Sequence, residues 1–342
     1  MQTKNNKNNN NKIKVTARAG PPPGLKFRHI PSVFNDGLAG AAVGDRYGFI
    51  DKTGGFAIPC VYEYTDSFRE GLACVKKDGK CGYINKSGDM IIPGVSDIIG
   101  WYSEGLAHVQ QNGRYGFIDK SGEIIIPCVF DGAGFFAEGL APVGKDGKCG
   151  FIDKSGAPAV PLIYDITRTF NDGLAGVVKN GKLGFIDKSG EIIIPCVFDE
   201  DKSENFSDGL ARVWKNGEVV FIDKTGATAI PQIGERAGPF REGLAWVKQN
   251  GKRGFMDKSG EIIIPCVYEE SYVFSEGLAA VVKDGKCGYI DKSGDIITPF
   301  EYDYGVIDEY SDLNWAFATP FREGLALARK NGCWEILEIE QS

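Results

Sequence analysis

The sequence predicts an all-β protein built as a serial array of small antiparallel sheets, and three observations carry that prediction. The first is a repeat. The Gly of a Gly-Leu-Ala motif returns at positions 37, 71, 105, 139, 173, 209, 243, 277 and 324, a step of 34 residues broken by one interval of 36 and a last one of 47. A unit of that size is too small to bury a core alone, so neighbours must stack. The second is turn chemistry: an Asn-Gly or Asp-Gly pair, as at Asn112-Gly113, and a Lys-Ser/Thr-Gly triplet, in the eight full units, fall between apolar runs and are hairpin signals. The third is that no segment sustains a 3.6-residue apolar period, so little helix is expected. The expected architecture is eight full and one partial ~34-residue units, each of three antiparallel strands, in an open β-solenoid or superhelix. The alternative is a closed β-propeller-like ring. It stands second because a propeller blade normally uses four strands in about 40 to 45 residues.

Taken in order, residues 1–26 are rich in Asn and Lys and then in Pro. Such a segment buries too little apolar surface to offset its ordering entropy, so a disordered tail is expected. A single array follows over 27–342, with units starting near 34, 68, 102, 136, 170, 206, 240 and 274. In the third unit, Leu106 to Gln111 reads as a strand, Asn112-Gly113 as its turn and Arg114 to Asp119 as a second strand. Asp119 is placed to cap the Lys120-Ser121-Gly122 turn, and a third strand, Glu123 to Ile126, stops at Pro127. Phe117 and Ile118 are adjacent and face opposite ways, and the third strand is a continuous Ile run, so each sheet should be covered on both faces. A second period overlies the first: Pro-Cys-Val at Cys60, Cys128, Cys196 and Cys266 in alternate units, Gly-Lys-Cys-Gly at Cys81, Cys149 and Cys287 in others. The array therefore reads as grown by pairs. Residues 301–320 form an insertion, and 321–342, which lacks the Asp-Lys-Ser-Gly turn, reads as a partial repeat that caps an exposed end.

At these residues the chain resembles the WG-repeat (KWG-repeat) family. The matching pattern is Glu/Asp-Gly-Leu-Ala-x-Val, Gly-Lys-x-Gly-Phe/Tyr-Ile-Asp-Lys-Ser/Thr-Gly and Ile-Ile-x-Pro, recurring in register over about residues 34 to 340. The Trp of the family's Trp-Gly pair is replaced by Tyr47, Cys81, Tyr115, Cys149, Leu183, Val219, Arg253 and Cys287; only Trp334 retains it, with Glu335 in place of the Gly. The resemblance implies a β-rich repeat scaffold and no shared catalytic site.

Composition narrows the partners. With 39 basic and 46 acidic residues the net charge is −7, which disfavours nucleic acid and anionic membranes. No stretch approaches the roughly 20 apolar residues of a membrane span, and the N-terminus has no signal-type apolar core. Nine cysteines, an odd number in a long apolar-rich chain, fit reduced thiols and a cytoplasmic setting, with the thiols acting as small buried hydrophobes. Only His29 and His108 are histidines, and no nucleophile, phosphate-loop or metal-ligand spacing accompanies them. No enzyme activity, cofactor or metal is expected. The acids that recur in every unit, such as Glu104 and Asp119, are expected to serve turns that every unit has.

Function should lie where the pattern breaks. A variable column follows Gly-Leu-Ala and includes His108, Arg212 and Trp246. The insertion adds Tyr302, Tyr304, Tyr310, Trp315 and Phe317 among acids, a composition typical of interface anchors. The expected function is a non-catalytic scaffold that binds another protein. The alternative is a carbohydrate-binding module stacking sugars on exposed aromatics, weakened because Trp101, Trp214, Trp246 and Trp315 share no repeat position.

Overall fold

The computed structural model describes residues 13–19, 33–96, 98–200, 203–215, 217–231, 236–304 and 318–340. All regular structure among them is β-strand. The third unit shows the pattern. Strand Ala107–Gln111 turns through Asn112 and Gly113, both at positive φ (51° and 76°), into Arg114–Ile118. This is the two-residue hairpin that Asn-Gly favours. The outer strand, Ile124–Phe130, pairs antiparallel with Arg114–Ile118. The three expected strands are joined by a fourth: Ile98–Ile99 pairs with Val109 and Gln110 on the other edge. Two residues are too few to leave an alternating pattern, and the unit is four-stranded, like a propeller blade.

The short strand lies innermost. Equivalent residues of neighbouring units touch beside it, as Trp101 and Phe135 do with ring centroids 5.4 Å apart. The Asn205 side chain likewise donates to the Thr169 carbonyl at 3.0 Å. Equivalent positions converge in this way only near the axis of a ring. The Ile-Ile-Ile-Pro strand is a free outer edge in most units.

Faces follow the sequence in the inner part of each sheet. Phe117 packs into the cluster shared with unit four, and Ile118 into the one shared with unit two. At every junction from the first unit to the ninth an aromatic pair meets, Phe117 with Phe136 at 4.9 Å and Tyr289 with Phe321 at 4.9 Å among them. The expectation of cover on both faces fails for the outer strand. Ile126 and Phe130 are buried, but Ile124, Ile125 and Val129 are 43, 39 and 44% exposed. With no strand beyond it, the edge turns these side chains to solvent.

The array closes on itself, so its geometry is the ring and not the open solenoid. Strand Val15–Ala19 pairs antiparallel with Cys333–Ile339, Val15 opposite Ile339 and Ala19 opposite Glu335. That strand takes the outer position of unit nine, whose own strands are Leu325–Lys330 and Cys333–Ile339. Two expectations change together. Residues 15–19 belong to the fold and not to a tail, and the C-terminal segment is a blade completed by the N-terminal strand, not a cap on an open end. Leu325, Leu327 and Ile336 of unit nine pack on Ala39, Ala41 and Ile50 of unit one. The charges of Glu335 and Glu338 do not block that stacking.

Stitches between units follow the same circle. The turn at Glu104-Gly105 has both residues at positive φ (55° and 90°), a conformation that costs an L-residue of order 1 kcal/mol or more. Glu104 then accepts a hydrogen bond from the Gly139 N–H of the next unit at 3.0 Å. The series runs through Asp36 to Gly71, Glu70 to Gly105, Glu138 to Gly173, Asp172 to Gly209, Asp208 to Gly243, Glu242 to Gly277 and Glu276 to Gly324. It returns to the start when Glu323 takes the Gly37 N–H at 2.9 Å. A lysine of the next unit's second turn often joins, as Lys120 does to Glu70 at 3.1 Å and Lys52 to Glu323 at 3.2 Å. These recurring acids bridge units, where the sequence suggested service to a local turn. The Asp119 class does cap locally: its Oδ1 accepts from the Ser121 hydroxyl and from the N–H groups of Ser121 and Glu123. The hydroxyl hydrogen bond, outweighing slight desolvation and aided by the N–H groups, holds its carboxyl below the usual range.

The glycine of the family's Trp-Gly pair also has a physical role. The outer strand bulges around Pro127, with register shifts on either side of Phe117, and its backbone crosses directly over Gly116. A Cβ at Gly116 would lie 2.4 Å from the Ile126 carbonyl oxygen. The equivalent distance at Gly48, Gly82, Gly150, Gly184 and Gly254 is 2.3–2.6 Å. Unit six carries Val220 there, and its described outer strand, Thr228–Ile230, has three residues instead of seven or eight.

Candidate interaction surface

The variable column is paired within its own units. Among the described residues, members lie opposite a residue beside the inner edge of their own unit, whose N–H donates to the column carbonyl: Gly100 to His108, Gly134 to Pro142, Arg168 to Gly176, Glu204 to Arg212, Gly238 to Trp246, Tyr272 to Ala280. Sizes compensate across the pair. His108 and Trp246 lie over glycines, where a Cβ on Gly100 or Gly238 would collide with the ring at 2.3 and 2.0 Å. Gly176 and Ala280 instead face Arg168 and Tyr272. Arg212 ion-pairs with Glu204 and donates to the Ala237 carbonyl at 2.8 Å. His108 meets Tyr115 edge-on, and burial holds its imidazole below the ordinary histidine pKa. Trp246 lies beneath the Arg253 guanidinium, 4.2 Å from the ring centroid. His108, Trp246, Gly176 and Ala280 are thus each matched in size by the residue across from them, while Arg212 meets Glu204 by charge.

The insertion residues divide. Tyr302 is 3% exposed in the core shared by units eight and nine, where burial pushes its phenol up to about 12. Tyr304 packs partly buried against the same core. Tyr302 is therefore no free anchor, which corrects the expectation for it, while Tyr304 keeps part of its surface exposed. Tyr310, Trp315 and Phe317 lie outside the described residues. Trp101 has one face under Arg69, 4.6 Å from the centroid, and Phe135 beside it.

None of the nine cysteines is in a disulfide, and among the described residues no His/Cys/Asp/Glu group could hold a metal. No helix among them is long and apolar enough to cross a membrane. Cys74, Cys81 and Cys287 are buried, Cys333 is exposed and the other five are between. Burial pushes the Cys287 thiol up to about 12 and that of Cys74 upward as well. Since the thiolate is the nucleophile, native iodoacetamide labelling followed by peptide mass mapping should modify Cys333 first. Cys74 and Cys287 should react only on unfolding. Equal labelling rates at all three would contradict the placement of these strands.

Two surfaces remain unexplained by folding. One is the perimeter. Of the large apolar side chains that are exposed, nearly all belong to outer strands, including Val61, Ile91, Ile125, Ile163, Ile193, Val197 and Ile263. They recur at matching positions on the outer strands of units one to five, seven and eight. The other is a recess of about 470 Å³ on the inner part of unit four, lined by Gly132, Gly134, Pro142, Gly144 and Cys149, with Thr167, Arg168, Thr169 and Asn205 beside them. Arg168 is held in place there by the carbonyls of Ser203 and Glu200 at 2.6 and 2.8 Å. Sequence reading missed this recess. Its signal was a run of small residues, Gly132, Gly134, Pro142 and Gly144, in one unit only.

The fold is similar to that of a eukaryotic initiation factor, with TM-score 0.60 and 11% identity over 83% of this chain and 94% of that one. It also matches the computationally designed Ika8 protein (TM-score 0.48, 13% identity, 92% and 98% covered) and the WD40 domain of SCAP from fission yeast (0.45, 8%, 96% and 98%). At these identities the likeness concerns fold alone. Comparison with curated proteins finds no match. The family model of the WG containing repeat matches eight times, at residues 47–81, 82–115, 115–149, 150–182, 184–218, 221–252, 254–287 and 288–334. Those matches run through almost the whole ring and share its period, and the chain belongs to the WG-containing repeat family.

Proposed function

We propose that this protein is a non-catalytic scaffold that binds another protein through the rim of its ring. One observation carries the reading: the half-exposed Ile and Val side chains on successive outer strands. Single exposed apolar residues need no explanation, but their recurrence on the water-facing edges of successive units marks a docking surface. Proline at each of these strands, as at Pro127 and Pro195, and the bulge around it break the edge against indiscriminate strand pairing. That leaves side-chain contact as the mode of binding. Thiols outside any disulfide support action in a reducing, cytoplasmic setting.

The test compares the native chain with a variant carrying Ile125→Lys, Ile193→Lys, Val197→Lys and Ile263→Lys, both immobilised and exposed to extract of the source cells. These sites are solvent-facing on edge strands, where lysine is well tolerated. Retention of a defined protein by the native chain, lost in a variant of equal thermal stability, is the expected result. Identical retention by both removes the rim as the site, and no retained protein removes the scaffold reading.

A further inference from the structure

The recess of unit four has a feature that the fold itself does not require. Inner-strand residues are paired across to the neighbouring strand, Ala141–Lys145 in unit four, and in the four other units compared both partners carry side chains. The pairs are Tyr64 with Lys76, Ile166 with Val178, Arg236 with Lys248 and Glu270 with Val282. In unit four the pair is Gly132 with Gly144. Neither glycine has a positive φ. A Cβ on Gly132 would meet nothing within 4 Å, and one on Gly144 would make only ordinary contact, 3.5 Å from the Cys149 sulfur. Glycine in a strand weakens it and marks a place where another group approaches closely. The two glycines therefore leave open a volume that side chains fill elsewhere.

The protein shows what such a volume takes. In unit seven the ring of Trp246 lies over Gly238, under the Arg253 guanidinium. In unit three the His108 ring lies over Gly100 beside Tyr115. Unit four has the same glycine, Gly134, but Pro142 and Cys149 stand where the rings and the guanidinium stand in those units. A cation is still present: Arg168 of unit five lines one side. Its guanidinium is fixed by the Ser203 and Glu200 carbonyls and so needs no ordering on binding. A positive wall complements the negative face of an aromatic ring.

We infer that this recess is a binding site for one aromatic side chain, Trp or Tyr, presented by a partner protein, seated over Gly132 and Gly144 against Arg168. The inference rests on the protein-binding reading for its biological partner but not for its chemistry, because small aromatic probes test the recess alone. N-acetyl-tryptophanamide, N-acetyl-tyrosinamide and N-acetyl-leucinamide are titrated into the full chain and followed by amide chemical shifts. The two aromatic probes should give saturable shifts at Gly132, Gly144 and Thr167, and the leucine probe at least tenfold weaker ones. Gly132→Ile with Gly144→Val installs the pair that unit five already carries, so the variant keeps its fold, and the shifts should vanish. Pro142→Trp, which copies the arrangement of Trp246 over Gly238, should fill the recess from within and have the same effect. Absent or non-saturable shifts in the native chain overturn the inference, as does binding that survives both variants or equal binding of the leucine probe. Undiminished partner capture by the rim variant, with probe binding intact, would count against the rim and leave the recess standing.

Discussion

Removing residues 1–19 should open the ring and destabilise the protein by roughly 5 kcal/mol, at about 1 kcal/mol for each ladder hydrogen bond plus the burial of two apolar side chains. Five residue pairs join Val15–Ala19 to the last strand, and Ile13 and Val15 pack against the core of units eight and nine. Lys14 adds an ion pair to Glu340 at 2.8 Å, exposed and worth little. The loss also bares the edge of Cys333–Ile339, so association through that edge should accompany the drop in stability. Denaturant unfolding of the shortened chain, with and without a synthetic 13–19 peptide, measures both effects. The midpoint should fall and the peptide should restore it. An unchanged midpoint would mean that the strand merely decorates a ring held by other contacts. Deletion of 321–342 should act in the same direction, because the two ends of the chain make one sheet.

Gly116→Val should cost about 3 kcal/mol, at the upper end of overpacking penalties, because the Cβ would lie 2.4 Å from a backbone oxygen that no rotamer change can move. The expected relief is withdrawal of the outer strand beyond Ile126; beside Val220 in unit six the described outer strand is Thr228–Ile230. Hydrogen exchange should then show lost protection at Val129 and Phe130, with the inner three strands unchanged. Retained protection there at native stability would refute the account of the Trp-Gly glycine. The reciprocal change, Val220→Gly, carries no such clash.

The repeat period, the hairpin turns and the apolar residues of the second strand were legible in the sequence because each depends on local chemistry. Asn112-Gly113 needs only its own backbone freedom to declare a turn, and Phe117 and Ile118 declare two buried faces by adjacency. What escaped is what depends on residues far apart. Closure pairs Val15 with Ile339, and the former sits in a segment too polar to suggest a strand. Glu104 looked like a turn residue because its partner, the Gly139 N–H, is 35 residues away. Its oddity was visible all the same: a position needing positive φ is better served by Asn or Asp, and a Glu retained there has other work. The column of His108, Arg212 and Trp246 suggested a variable surface, since compensation by Gly100, Glu204 and Gly238 becomes visible only once register is known. The exposed Ile of the outer strands was misread for a physical reason. An Ile run signals cover on both faces only for an interior strand, and nothing local distinguishes an edge.

Closure also imposes a rule of parity. Pro-Cys-Val marks alternate units, and the Cys60, Cys196 and Cys266 thiols donate to carbonyls of their own sheets at Ala41, Val177 and Val247. An alternating pattern can run around a circle without a fault only if the number of members is even. Nine is odd, so two units of the same class must meet somewhere, and they do so where unit nine adjoins unit one. Unit nine avoids the conflict by carrying no outer strand of its own and borrowing Val15–Ala19. Gain or loss of a pair of units leaves the count odd and the junction chemically as it was. Gain or loss of one unit would shift the fault into the body of the ring, where no borrowed strand is available to absorb it.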